Sequence, residues 1–469
     1  MRPGARRIDM RTPFDAIVIG TGQAGPALAA RLAAAGRKVA VIERHKFGGT
    51  CVNDGCTPTK ALIASAYAAR IAARAAEYGV QVDGARVDMK RVKARKDAIV
   101  AASAGNVEKW MRGLENVRVY RGHARFVDAR SVEVDGETLS AAQIFIDVGG
   151  RPLVPKMPGV DTVPYLTNVS MMEVDYAPEH LVVVGGSYIG LEFGQAWRRF
   201  GSRVTVVEMG PRLIGREDED VSDAVKEIFA AEGIDVRLNA KCISLEKTAD
   251  GVSVGVECEE GAPRIEGSHV LLAVGRAPNT DDLGLEAAGV ATDKRGFIEV
   301  DEELRTSNPN VWALGDCNGK GAFTHTAYND FEIVAGNLLE GARRKWTDRV
   351  PVYALYTDPP LGRVGMSEAE IRQKKIRALV AKRPMSRVSR AVEKGETAGF
   401  LKIHVEEGSQ RILGAALLGT SADESVHSLI DLVYAKTPYP EFQRRVRIHP
   451  NVSELLPFVL EDLKPLQAG

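Results

Sequence analysis

The sequence predicts an α/β fold, with two Rossmann-like units of parallel strands and helices followed by a C-terminal α+β module. Three observations carry this prediction. A strand, glycine turn, helix, strand and acid follow one another near the N-terminus. The same order recurs from Leu181 with identical spacing. From about Trp346 onward, strand–helix alternation gives way to runs of alternating strands.

In the first unit, the apolar run Asp15 to Ile19 ends in Gly20-Thr21-Gly22-Gln23-Ala24-Gly25. An Ala-rich helical pattern then reaches Gly36, and a second strand, Lys38 to Ile42, ends in Glu43. In the second, Leu181 to Val184 leads into Gly185-Gly186-Ser187-Tyr188-Ile189-Gly190, a helix reaching Gly201, the strand Val204 to Val207, and Glu208. First glycine to closing glycine is 16 positions in both units, and first glycine to acid is 23 in both. This is the order of a dinucleotide site, in which glycines admit the pyrophosphate, the helix N-terminus stabilises it, and the acid accepts from ribose hydroxyls. Gly20, Gly22, Gly25 and Glu43 are one candidate set, and Gly185, Ser187, Gly190 and Glu208 the other. Ser187 stands where the second glycine is expected, and its small side chain still lets backbone approach phosphate.

Between the repeats, Ala61 to Tyr78 and Met89 to Met111 read as long helices with solvated charged faces. Val148-Gly149-Gly150-Arg151-Pro152 marks a break near the first domain boundary, and Val270 to Val274 ends in a similar turn, Gly275-Arg276-Ala277-Pro278-Asn279. Asn310 to Asp316 places an acid at a strand's C-terminal end, where ligands meet a doubly wound sheet; a helix N-cap role is compatible with that. Phe400 to Val405 and Ile412 to Leu418 are strands of the third module.

A chain of 469 residues exceeds one core, and 45% apolar with 26% charged residues is the composition of a globular protein. Lys+Arg and Asp+Glu number 62 each, which argues against nucleic acid or an anionic membrane as the main partner. No apolar run is long enough to span a bilayer, and Met1 to Thr12 is Arg-rich without an apolar core, so neither a spanning helix nor a secretory signal is expected and the cytoplasm is the default. There, five cysteines (Cys51, Cys56, Cys242, Cys258, Cys317) do not make a scaffold.

The remaining signal is Gly48-Gly49-Thr50-Cys51-Val52-Asn53-Asp54-Gly55-Cys56-Thr57-Pro58-Thr59-Lys60. In a regular helix, residues five apart rise about 7.5 Å, beyond the roughly 7 Å limit on Cα separation for a disulfide. The first turn must therefore be distorted for Cys51 and Cys56 to bond. Gly55 tolerates distortion, and Pro58 costs least in a first turn. A helix N-terminus favours thiolate. The reading is a redox-active disulfide; its rivals are two buried apolar cysteines or a stabilising bridge. No further Cys or His stands nearby at ligand spacing, so no metal is assigned.

From Phe14 to Leu466 the chain resembles the class I pyridine nucleotide-disulfide oxidoreductases, the flavoprotein family of dihydrolipoamide dehydrogenase, glutathione reductase and mercuric reductase. The cysteine stretch, the two glycine units, Gly315-Asp316 and the late His449-Pro450 with Glu454 carry the resemblance in family order. It implies FAD on the first unit, a nicotinamide cofactor on the second, and a homodimer built by the last domain. The implied domains are 1–150 with 281–345 for FAD, 151–280 for NAD(P), and 346–469 for dimerisation. Gly49, Thr50, Gly149 and Asp316 join the FAD set, and Gly275 the NAD(P) set. Lys60 and Glu192 would pair beside the flavin N5; Tyr188 would shield the flavin until nicotinamide displaces it. Cys56 would face the flavin and Cys51 would exchange with substrate. The plain rivals are Tyr188 as packing, Lys60 as an exposed charge and Glu192 as a helix-surface acid. His449, oriented by Glu454 and supplied by the other subunit, would shuttle the proton that thiol–disulfide exchange requires. His325, His404 and His427 have only structural readings, and Arg363, Arg387 and Arg390 line a substrate path or the surface.

The expected activity is NAD(P)H-dependent reduction of a disulfide, quinone or metal ion, with Glu208 favouring NADH and Arg212 and Arg216 leaving NADPH open. The wording of the chain is mercuric-reductase-like, yet it ends Leu466-Gln467-Ala468-Gly469 without the cysteine pair of true mercuric reductases and keeps His449 and Glu454. Dihydrolipoamide dehydrogenase and a flavin redox sensor without turnover are the alternatives. Asp54 and Thr57 replace apolar residues beside the sulfurs, where a carboxylate disfavours thiolate. Cys317 lies near the flavin or is a small buried residue.

Overall fold

In the computed structural model the first apolar run is a strand, Thr12–Ile19, with its last four residues buried. The structure describes residues 11–257 and 263–467; residues 1–10, 258–262 and 468–469 lie outside the described residues, Cys258 with them, as does the side chain of Cys242. The chain divides into two units: one holds the stretches up to Pro58, Ala94–Leu153 and Gly275–Arg349, the other Thr59–Lys93, Val154–Val274 and the stretch from Val350.

In the first unit, Val117–Arg121, Val39–Glu43, Thr12–Ile19, Glu137–Ile146 and Val311–Ala313 lie side by side in parallel. Alternation along the strands sorts the apolar residues to two faces. Ala16, Val18, Val39 and Val41 pack with Leu28 and Leu32 of the helix Gly25–Ala34. Ile17, Ile19, Ala40 and Ile42 pack with Ile144, Ile146 and Val311 on the other face. Both faces are covered, as a parallel sheet requires.

The second unit repeats this arrangement. Asp235–Arg237, Arg203–Val207, His180–Val184 and His269–Leu272 form a parallel sheet in that order. Leu181, Val183, Val204 and Val206 pack with Phe193 and Trp197 of the helix Tyr188–Phe200; Val182, Val184, Val270 and Leu272 face the other way. The same unit carries a six-stranded antiparallel sheet: Val352–Leu355, Leu361–Gly365, Ile412–Leu418, Phe400–Glu406, Ala378–Pro384 and Lys464–Pro465. The expected α/β class with a terminal α+β module is what the chain forms.

Boundaries differ in places. The helix expected over Ala61 to Tyr78 begins at Cys56 and ends at Ala73, and Ala75–Tyr78 closes it as a single tighter turn. The strand expected over Val270 to Val274 is His269–Leu272. The two similar turns, Gly149-Gly150-Arg151-Pro152 and Gly275-Arg276-Ala277-Pro278, pair with each other, Gly150–Pro152 against Arg276–Pro278, antiparallel.

Candidate active site

The two glycine turns repeat in atomic detail. Gly20 and Gly185 have φ of +104° and +115°, and a Cβ on either would lie 2.2 Å from Asp147 O or 2.4 Å from Ala273 O. A Cβ on Gly25 would meet Gly20 O at 2.4 Å, and one on Gly190 would meet Gly185 O at 2.0 Å. The first and last glycines of each turn are therefore sterically required. Ser187 has φ −112° and ψ −171°, extended backbone open to any residue, which is why the middle position dispenses with glycine.

The acids also correspond. Glu43 Oε2 accepts from Thr21 N at 3.0 Å and Glu208 Oε2 from Gly186 N at 2.7 Å. Glu208 Oε1 accepts from Gly210 N at 2.7 Å, so its charge is fixed in place. Gly186, Ser187, Glu208, Gly210, Pro211, Arg212, Gly215 and Arg216 line a cavity of about 290 Å³.

Gly49–Asn53 forms one short helix in the first unit, and the next helix, Cys56–Ala73, begins there. The break falls at Asp54-Gly55, where a Cβ on Gly55 would lie 2.9 Å from Thr50 O. A distorted turn is expected at Gly55, and the helix is interrupted there. Cys51 is half-buried and Cys56 exposed, with Cys56 Sγ 3.2 Å from Thr324 Oγ1 at the start of the helix Thr324–Glu340. Asp54 is ion-paired with Lys46 at 2.9 Å, so the charge it brings beside the cysteines is balanced. Gly49 passes close to the glycine turn, since a Cβ there would stand 2.9 Å from Gly22 Cα. Asp316 sits within the turn Gly315–Asn318, whose N-cap is Leu314, so the N-cap role does not hold; Asp316 Oδ2 accepts from Arg276 Nε at 3.1 Å. Arg276 also approaches Thr50 Oγ1 at 3.4 Å.

In the second unit, Lys60 Nζ donates to Glu192 Oε2 at 2.6 Å and stands 4.5 Å above the Tyr356 ring, while Tyr356 N donates to Glu192 Oε1 at 3.0 Å. Glu192 is 6% exposed, so it is no helix-surface acid. Tyr188 meets Tyr353 edge to face, with ring centroids 5.7 Å apart. His449 Nδ1 lies 3.0 and 3.1 Å from the Glu454 oxygens, with the His449 side chain exposed. Arg363, expected at a substrate path or the surface, is 2% exposed and ion-paired to Glu217 and Asp218. Arg387 and Arg390 are exposed, and His404 is fully buried. Cys317 is buried, and burial pushes its thiol pKa well up.

Sequence reasoning missed Asp147. It follows the strand Glu137–Ile146, and its Oδ2 accepts from Gly25 N at 2.7 Å. Its place at a parallel strand's C-terminal end was the available signal. Burial raises its pKa well above the carboxylate range, the Gly25 N–H opposes, and Asp316, Asp330 and Glu43 add to the rise. A carboxyl whose pKa is raised on folding contributes stability that is present at low pH and is lost as pH rises through the folded pKa. Asp147→Asn is expected to melt above the wild type at about pH 8.5, with the gap closing toward about pH 5. A gap independent of pH would refute the assignment.

The family model for pyridine nucleotide-disulphide oxidoreductases matches residues 14–330, and the model of that family's dimerisation domain matches residues 352–457. The chain belongs to this family: it is a flavoprotein disulfide reductase of the class I pyridine nucleotide-disulfide oxidoreductases. It is 34% identical over 451 residues to the probable pyridine nucleotide-disulfide oxidoreductase RclA of Escherichia coli K12, covering 94% of this chain and 98% of that protein. It is 34% identical to a mercuric reductase of Streptomyces lividans (89% and 90% covered) and 31% to a dihydrolipoyl dehydrogenase of Geobacillus stearothermophilus (95% and 95%). The solved Cu(II) complex of the HOCl-induced flavoprotein disulfide reductase RclA from Escherichia coli superposes with a TM-score of 0.88 at 32% identity, covering 96% of this chain and 99% of that one.

The protein is an NAD(P)H-dependent, FAD-containing oxidoreductase. The residues present fit FAD. Ala24, at the N-cap of Gly25–Ala34, contributes no side-chain cap, although Gly25 N at that helix end donates to Asp147 Oδ2. The close approach of Gly22 and Gly49 leaves no room there for side chains that would obstruct a pyrophosphate. Among the described residues, no helix is long and apolar enough to cross a membrane.

Proposed function

We propose that this protein is an NADH-dependent reductase that passes electron pairs through a Cys51–Cys56 disulfide to a disulfide, quinone or metal-ion acceptor. The observation that supports this reading is the broken helix at Asp54-Gly55, with Cys51 in the short helix Gly49–Asn53 and Cys56 as the first residue of Cys56–Ala73, the Thr324 hydroxyl beside it. Bound FAD supplies the transfer of two electrons from nicotinamide to that disulfide. With a disulfide acceptor, the Cys51 thiolate attacks one sulfur and expels a thiolate; Cys56 then attacks Cys51, expels the second and restores the intramolecular bond. Each released thiolate takes one proton, delivered by His449 of the partner subunit, whose imidazole the Glu454 carboxylate orients. The Lys60–Glu192 ion pair would stand beside the flavin N5, and Tyr188 would shield the flavin until nicotinamide displaces it.

Glu43, Gly20, Gly22, Gly25, Gly49, Thr50, Gly149 and Asp316 hold FAD in this reading, and Gly185, Ser187, Gly190, Glu208 and Gly275 hold the nicotinamide nucleotide. The domains are 1–150 with 281–345 for FAD, 151–280 for the nucleotide and 346–469 for a homodimer interface, in the cytoplasm. Glu208, fixed by two backbone amides in a cavity it lines, favours a ribose hydroxyl over a 2′-phosphate. NADPH is therefore expected to show a KM at least about tenfold above that of NADH, the scale of roughly 1.4 kcal/mol. Equal KM values would remove this preference.

Copper and mercury are the candidate metal acceptors, since RclA from Escherichia coli forms a Cu(II) complex and another relative is a mercuric reductase. The His449–Glu454 pair favours an acceptor that consumes protons, such as a disulfide or quinone, and keeps dihydrolipoamide dehydrogenase as the second reading. Anaerobic titration with NADH and with NADPH, followed by lipoamide, glutathione disulfide, quinones, Cu(II) and Hg(II), separates these. Rapid NADH formation from dihydrolipoamide would decide for the second reading. Oxidation of NADH by none of the acceptors would leave a redox sensor.

A further inference from the structure

Asp147 is 5% exposed, and its carboxyl lies against the first glycine turn. A Cβ on Gly22 or on Gly25 would stand 2.9 Å from Asp147 Oδ2, and one on Gly315 would stand 3.2 Å from Oδ1. Oδ2 accepts from Gly25 N at 2.7 Å, an amide at the N-terminal end of Gly25–Ala34. A dinucleotide's diphosphate is expected at that helix end, so the acid and the diphosphate share one glycine-lined cradle.

The charged groups around this cradle are matched, Asp147 excepted. Asp316 Oδ2 accepts from Arg276 Nε at 3.1 Å. Asp330, on the helix Thr324–Glu340, is ion-paired with Arg349 and accepts from Gly315 N at 2.8 Å. Glu43 accepts from Thr21 N at 3.0 Å and from His45 N at 2.7 Å. Cys317, buried in the same turn as Asp316, is a thiol whose raised pKa keeps it uncharged. Asp147 has one backbone amide and, among the described residues, no ion pair. Burial raises its pKa, and Asp316, Asp330 and Glu43 add to the rise. An entering diphosphate brings more negative charge to the same amide and glycines, and two buried anions without a cation between them are costly.

We propose that Asp147 is a further FAD-binding residue that faces the diphosphate as a neutral acid, taking a proton from solvent as FAD enters and returning it as FAD leaves. The inference rests on the reading of Gly20, Gly22 and Gly25 as the FAD turn. Because binding takes up a proton, FAD affinity falls as pH rises, by at most about tenfold per pH unit for a single group.

The test dilutes the FAD-loaded, full-length protein and measures released flavin by its fluorescence. For the wild type, the FAD dissociation constant is expected to rise at least about tenfold between about pH 6 and about pH 9. Asp147→Asn keeps an acceptor for Gly25 N but carries no charge, so its constant should stay within about twofold over that range and lie below the wild type's at about pH 9. A wild-type constant that does not change with pH overturns the proposal without any variant. An Asn variant that follows the wild-type profile assigns the dependence to another group and overturns it equally. If the Asn variant does not fold, Asp147→Ala, also uncharged, carries the same expectation of a flat profile and the same refutation. Gly22→Leu tests the underlying reading by itself: undiminished FAD loading there would remove the glycine turn from the FAD site, and this inference with it. Lost loading in Gly22→Leu together with a flat wild-type profile overturns the part of Asp147 alone.

Discussion

Cys56→Ser is expected to lower kcat/KM with disulfide acceptors by at least about a thousandfold, while FAD loading and flavin reduction by NADH persist. The asymmetry follows from what a serine hydroxyl can do at this position. It keeps the volume of the thiol and can keep a hydrogen bond to Thr324, the contact that Cys56 Sγ makes at 3.2 Å. It cannot form the intramolecular disulfide, so no electron pair is stored on the protein and none reaches the acceptor. Nothing in the glycine turns or in the Lys60–Glu192 pair depends on that sulfur. The nucleotide-facing half of the reaction should therefore survive.

The two cysteines should fail differently. If Cys56 is the sulfur facing the flavin, anaerobic addition of one equivalent of NADH to Cys56→Ser will not produce the long-wavelength band of a thiolate beside flavin, whereas Cys51→Ser will retain it. An unchanged band in Cys56→Ser would reverse the two roles. Retained turnover in both variants would dispose of the disulfide relay and leave direct transfer from flavin to acceptor.

How legible these features were in the sequence depends on how far apart the cooperating residues lie. The glycine turns were legible because each is a contiguous string whose constraint is local: Gly20 and Gly185 take positive φ, and Gly25 and Gly190 abut the carbonyl of the first glycine. Repetition at equal spacing made both visible, and the extended backbone at Ser187 explains why its departure from the pattern does no harm. The helix break at Gly55 was legible too, because a residue without a Cβ tolerates a distorted turn where a side chain would meet the Thr50 carbonyl. Arg363 was not. Its partners Glu217 and Asp218 are 146 and 145 positions away, and no periodicity marks a single arginine in a buried strand as paired. Asp147 shares that difficulty, since its partner Gly25 is brought near only by the finished fold. The strand end at Leu272 was misplaced for a different reason. Ala273 and Val274 continue the apolar run in sequence, yet the ladder with His180–Val184 stops at Leu272.

Arg363→Ala should cost about 3–5 kcal/mol of stability, because it leaves two buried carboxylates short of a cation. At about 2.1 cal/mol/K of unfolding entropy per residue, such a loss corresponds to a fall in melting temperature of about 3–5 °C for a chain of 469 residues. Arg363 and Asp218 are each 2% exposed as side chains and Glu217 is 0% exposed, so water cannot replace the guanidinium. Lys402 still reaches Asp218 at 2.9 Å, which places the greater strain on Glu217. Burial already raises the Glu217 pKa, opposed mainly by Arg363. Without the arginine that carboxyl rises further, and a group protonated in the fold but ionised in the unfolded chain destabilises increasingly as pH rises. The gap between variant and wild type should therefore widen from about pH 5 to about pH 8. Arg390→Ala is the control: Arg390 pairs with Glu393 on the surface at 3.0 Å, with side chains 48% and 43% exposed, and its loss should change stability by less than about 0.5 kcal/mol. If thermal melts of the two variants coincide, or if the Arg363→Ala gap does not depend on pH, the buried network does not anchor this part of the molecule.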